Sequence, residues 1–97
     1  MKLRFSYRAL QDLAGIADYI RVANPKAAED VRSAIIESLQ NLILFPSLGR
    51  LQSTENVRKF ITRKYRYIVY YTADEPADEI IILTIQHPAR DREFAND

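Results

Sequence analysis

The chain has 97 residues, 47% of them hydrophobic and 28% charged, with a formal net charge of +1. That balance allows one packed core between two layers and argues against a disordered or fibrous chain. With no cysteine and one histidine, disulfides and thiolate zinc sites are excluded and no metal or other cofactor is expected.

Apolar runs fall short of the ~18 residues a membrane span requires, and the N-terminus lacks an apolar export core. A single cytoplasmic domain over residues 1–97, without a membrane partner, is the expectation. Residues 2 to 6 alternate, with Leu3 and Phe5 on one face, which predicts a short strand, and Ser6 is placed to cap a helix. From Tyr7 to about Val22, Leu10, Leu13, Ala14, Ala17 and Ile20 recur at helical spacing. Asn24 and Pro25 then form a start signal for a second helix, whose stripe of Ala28, Val31, Ile35, Leu39 and Leu42 ends at Phe45-Pro46. So short a link makes the pair an antiparallel hairpin.

Residues 46 to 55 are polar and turn-rich and predict a loop. Strands are predicted over Val57 to Thr62, Tyr65 to Thr72 and Glu79 to His87, each rich in β-branched and aromatic residues. The order is β-αα-βββ, an α+β fold. A helical hairpin returns the chain to the end of the sheet where the first strand finished, so a small antiparallel sheet of about four strands is expected, covered on one face by the helices.

Charge is concentrated. Between Arg50 and Arg66 six Lys/Arg residues (Arg50, Arg58, Lys59, Arg63, Lys64 and Arg66) stand against Glu55, a pattern suited to a polyanion or an acidic protein, or to a solvated strand face. In the tyrosine-rich strand Tyr65, Tyr67, Val69 and Tyr71 would share one side, Ile68 and Tyr70 the other. With Arg66 beside them, tyrosines on an open face would suit base stacking or a partner peptide, although tyrosine also simply fills a half-buried antiparallel sheet. In the last strand Ile81, Leu83 and Ile85 would oppose Ile80 and Ile82, with His87 on the face of Ile85.

His87 is the one side chain able to shuttle protons near neutral pH, although a strand-end histidine equally serves as a cap. Arg90 follows within reach and can hold phosphate bidentately. Histidine with arginines and no metal would suffice to cleave RNA through its own 2′-OH. No glycine-rich phosphate loop or Ser-His-Asp order is present.

The pieces "ALQDLAGIADYI", "NPKAAEDV", "LILFPSLGR", "NVRKF", "YRYIVYY" and "IILTIQHPARD", in this order, resemble the RelE/ParE superfamily of toxins from bacterial toxin-antitoxin pairs. The resemblance implies a toxin held by a cognate antitoxin. "HPARD" and "FPSLGR" look more like the ParE branch, whose members inhibit DNA gyrase; RelE-like members instead cleave messenger RNA on the ribosome, and a non-toxic nucleic-acid-binding module is the third reading. A RelE-like site would draw on Arg58, Arg66, His87 and Arg90. A target-binding surface would draw on Arg50, Arg58, Arg63, Lys64, Arg66, Arg90 and Arg92, with Arg58, Arg66 and His87 gathered at one rim of the sheet. The groove for the antitoxin would include Tyr7, Leu10, Tyr19 and Leu44.

Overall fold

A computed structural model describes residues 1–90, the side chain of Arg90 excepted. The elements are β1 (Lys2–Phe5), α1 (Tyr7–Ala23), α2 (Pro25–Leu44), β2 (Arg50–Leu51), β3 (Arg58–Ile61), β4 (Ile68–Asp74), β5 (Glu79–Gln86) and a 3-10 turn at Pro88–Arg90. No helix among the described residues is long and apolar enough to cross a membrane.

Capping sets the helix ends. Ser6 Oγ accepts from Ala9 N–H at 3.0 Å and donates to the Leu83 carbonyl at 2.9 Å, so it starts α1 and ties that start to β5. Asn24 serves both helices. Its N–H donates to the Ile20 carbonyl at 2.9 Å, while its Oδ1 accepts from Ala27 N–H at 3.1 Å ahead of Pro25. Satisfying an end of each helix from one residue makes the hairpin tight, and loss of such a cap typically costs about 1 kcal/mol.

The helices lie on one face of a five-stranded sheet of order β1-β5-β4-β3-β2. Ala9 and Leu13 of α1 and Val31, Ile35, Leu39 and Leu42 of α2 meet Tyr67, Val69, Tyr71, Ile80, Ile82 and Ile85 in one buried cluster. This is the α+β architecture expected. Periodicity placed the buried stripe of α2 correctly, but in α1 only Leu13 and Ala17 of the expected stripe are buried: Leu10 and Ala14 are exposed, and Ala9 takes the core position instead.

The pairing of β1 corrects the expectation of an antiparallel sheet throughout. β1 runs parallel to β5, with Leu3 opposite Ile80 and Phe5 opposite Ile82, so the sheet is mixed. The cause is one missed reversal. Arg50 and Leu51, read as loop, form β2 and pair antiparallel with Lys59 and Arg58 of β3. β2 is the strand that runs against β1; each of the two later antiparallel pairings, β3 with β4 and β4 with β5, reverses the chain again. β5 thereby arrives beside β1 in the same direction.

A second correction lies within β5. Tyr70 pairs with Thr84 and Tyr71 with Ile82, leaving Leu83 as an extra residue in a bulge. A bulge shifts the alternation by one position, so Ile85 joins Ile80 and Ile82 in the core while Leu83 packs on the far face with Val57, Ile68 and Tyr70. Tyr70 is fully buried. Of the two readings of that face, the filled sheet and not the open platform is found among the described residues.

Candidate functional site

The final cross-strand row of the sheet joins Ile61, Ile68 and Gln86. Two described segments follow this row in the chain and gather at one rim: the β3–β4 turn and the 3-10 turn after β5. The β3–β4 turn is shaped by Thr62, which is fully buried. Its N–H donates to the Tyr67 carbonyl at 2.9 Å. Its Oγ1 accepts from Tyr67 N–H at 2.9 Å and donates to the Lys64 carbonyl at 2.7 Å. Between these clamps Tyr65 and Arg66 adopt left-handed backbone, with φ of 64° and 56°. Side chains with a Cβ rarely occupy that region, so the turn stores strain that Thr62 and the paired strands hold in place.

Arg63, Lys64, Tyr65 and Arg66 are all exposed on this turn. The prediction of a strand from Tyr65 is corrected here: the chain enters β4 only at Ile68, and Arg66 projects from a turn instead of lying beside the strand tyrosines. Among the described residues Arg63 and Arg66 make no salt bridge. The rim is cationic and open to solvent.

His87 stands at the same rim. Its ring meets the Tyr67 ring edge-on, with centroids 5.7 Å apart and planes at 88°. Its Nδ1 accepts from Ala89 N–H at 3.0 Å and so caps the 3-10 turn. A ring accepting at Nδ1 carries the proton of its neutral form on Nε2, which makes Nε2 a donor. A general base at Nε2 would require the other tautomer and the loss of that cap.

Beside His87 a cleft of about 820 Å3 opens between α1 and the end of β5, lined by Arg8, Gln11, Gly15, Tyr19 and Tyr67 among others. Asp12 is its carboxylate, and it is already engaged. It accepts from Thr84 Oγ1 and, at 3.0 Å, from Ile85 N–H. Beyond the last β1 pair, Ser6 at the cap of α1 and Asp12 within it thus bond the Leu83 carbonyl and the Ile85 N–H of β5. Nothing in local spacing shows this use of Asp12, because its partners Thr84 and Ile85 lie 72 and 73 residues away.

Arg58 does not join the rim. It pairs with Tyr71 at the opposite end of β3, three residues before Ile61, roughly 10 Å of strand away. Its Nη1 donates to the Gly49 carbonyl at 2.7 Å and to the Ser47 carbonyl at 3.3 Å. Tyr71 completes this clamp: Oη accepts from Gly49 N–H at 2.8 Å and donates to the Pro46 carbonyl at 2.7 Å. Burial pushes the Tyr71 hydroxyl above its ordinary value, opposed by the Gly49 bond and the Arg58 charge, so it stays a donor. Gly49 has no room for a side chain, since an added Cβ would lie 2.7 Å from Tyr71 Cε1 and 2.9 Å from the Lys59 carbonyl.

The remaining predicted residues divide simply. Arg50 is exposed on the edge strand β2. Tyr7, Leu10, Tyr19 and Leu44 are all exposed, which suits a docking role. The Arg90 side chain and Arg92 lie outside the described residues.

A helical hairpin on one face of a small mixed sheet, with a cationic turn at the rim, defines a class of small two-layer α+β proteins. Residues 3–92 match the family model described as ParE toxin of type II toxin-antitoxin system, parDE, and the chain belongs to that family. It is 34% identical over 86 residues to Toxin RelE2 of Caulobacter vibrioides, covering 89% of this chain and 93% of that protein. Among solved structures, the chromosomal ParDE system from P. aeruginosa superposes with a TM-score of 0.77 at 24% identity, covering 90% of this chain and 95% of that one. The E. coli RelBE toxin-antitoxin complex gives a TM-score of 0.58 at 16% identity, covering 92% and 98%. At these identities the solved structures speak for the fold.

Proposed function

We infer that the chain acts as the toxin of a type II pair, neutralised by a cognate antitoxin, and that it inhibits DNA gyrase by binding. Membership of the ParE family supports the first part. The observation that carries the second is the dispersal of the groups a nuclease would need. Arg58 is committed to the 46–49 loop at one end of β3 and Arg66 stands at the other. His87 holds a capping bond through Nδ1, and the cleft carboxylate Asp12 is engaged by Thr84 and Ile85. Acid-base cleavage needs such groups within hydrogen-bond reach of one reacting centre. Binding needs only a rigid surface of the right charge, which the turn at 63–66 offers.

Arg63, Lys64 and Arg66 are therefore the contact residues for the target. Purified protein is expected to block gyrase supercoiling and to accumulate cleaved DNA, and to leave translated messages uncut in primer extension. One observation favours the RelE-like reading: Arg66 and His87 do share a rim. Codon-phased cuts in primer extension, lost in His87→Ala and Arg66→Ala, would establish that reading and remove the gyrase one.

A further inference from the structure

The "FPSLGR" segment is held more completely than a connection requires. Four hydrogen bonds from side chains of β3 and β4 hold its backbone: Tyr71 Oη engages Pro46 and Gly49, and Arg58 Nη1 engages Ser47 and Gly49. Two further bonds are local, from Phe45 N–H to the Asn41 carbonyl at 2.9 Å and from Leu48 N–H to the Phe45 carbonyl at 3.0 Å. The side chains are left in water. Leu44, Phe45, Leu48 and Leu51 are between 51% and 71% exposed.

A backbone fixed in advance with its large apolar side chains uncovered has met the ordering cost of association before a partner arrives. Clustered apolar exposure of this kind marks docking surfaces. Charge defines the chemistry of the occupant. Along the β2–β3 ladder Arg50 lies opposite Lys59 and Leu51 opposite Arg58, while Glu55 is the sole acid between residues 38 and 73. The complement is a segment with apolar anchors and an acidic flank.

Resting on the toxin reading, we propose that residues 44–51 are the seat for an acidic amphipathic segment of the antitoxin. The target is assigned to the turn at the other end of the β3–β4 hairpin, so the seat is a separate surface. Leu44, the last residue of α2, joins it to the exposed face of the helical hairpin. An apolar seat suits a partner that must stay bound, because buried apolar anchors lengthen residence more than rim charges do.

The test uses the full chain and the protein encoded by the reading frame adjacent to its own. Leu48→Glu and Leu48→Lys change the same half-exposed side chain with opposite charge, and thermal melting checks that both fold. Leu51→Glu on β2 provides an independent readout if the first variant does not fold. The glutamate variants are expected to weaken binding by about 10-fold or more, as loss of an interface anchor does, and the lysine variant less. Hydrogen exchange at 44–51 should slow further on complex formation. A complex that forms with no added protection at 44–51 and is indifferent to these variants overturns the proposal and leaves the toxin reading standing. If no complex forms and expression alone does not slow growth, the toxin reading falls and this proposal with it.

Discussion

Two segments at opposite ends of the β3–β4 hairpin put arginine to opposite uses. At one end Arg58 and Tyr71 spend their hydrogen bonds on the 46–49 backbone, so a cation counted in the basic cluster is part of the framework. At the other, Thr62 takes up the polar backbone of the 62–67 turn, and Arg63 and Arg66 remain exposed and, among the described residues, outside any salt bridge. A basic cluster in a sequence therefore mixes two populations. What separates them is whether a carbonyl in need of a donor lies within reach.

The largest expected effect tests the framework end. Gly49→Ala drives a methyl into Tyr71 and the Lys59 carbonyl, so Tyr71 must shift and its two bonds loosen; a loss of about 3 kcal/mol is expected in urea unfolding. An unchanged midpoint would show that the clamp is slack. Tyr71→Phe keeps the ring and removes both bonds, leaving the Gly49 N–H and Pro46 carbonyl without their partner, for a cost of about 1–3 kcal/mol.

The same hydroxyl predicts an alkaline limb. Burial raises the Tyr71 and Tyr67 phenols above the ordinary 10.0. Above about pH 10 the unfolded chain releases phenolic protons that the folded chain keeps, so stability falls as pH rises, until the folded phenols ionise too. Below about pH 9 these groups contribute no slope. Unfolding midpoints followed from neutral to alkaline pH should show the limb, and Tyr71→Phe should flatten it.

Smaller effects come from contrasting the arginines. Arg58→Met retains most of the stem but removes both bonds to the loop, and about 1–2 kcal/mol of stability should go with it. Arg66→Gly should leave stability unchanged or raise it by up to about 1 kcal/mol, because glycine accepts the left-handed backbone without strain. It should nonetheless reduce target inhibition. If Arg66→Gly folds, binds antitoxin and inhibits as well as the parent chain, the turn is not the contact surface; if Arg58→Met leaves the unfolding midpoint untouched, the contrast between the two ends collapses.

Local rules made much of the fold legible. Ser6, Asn24, Pro25 and Phe45-Pro46 marked the helix boundaries, because caps and proline act through neighbouring backbone. The buried stripe of α2 followed from periodicity, that of α1 only at Leu13 and Ala17, and the sharing of one face by Tyr67, Val69 and Tyr71 followed from alternation. Of the site, the identity of the charged residues and the capping use of His87 were visible in the chain.

Contacts distant in sequence decided the rest. A two-residue strand at Arg50 and Leu51 is too short to carry a pattern, yet it sets the direction of every later strand and makes β1 parallel to β5. The bulge at Leu83 moves Ile85 into the core, and Ser6 and Asp12, more than 70 residues earlier, bond the backbone of β5 on either side of Thr84. Tyr65 and Arg66 lie in a β-like sequence, but closure of the β3–β4 hairpin and the bonds of buried Thr62 force them into a left-handed turn. The amino-acid sequence by itself determined which faces are apolar and where helices begin and end, since those depend on periodicity and near neighbours. Which arginines remain available to a partner was decided only when the tertiary structure brought some of them, and not others, to carbonyls that lacked a donor.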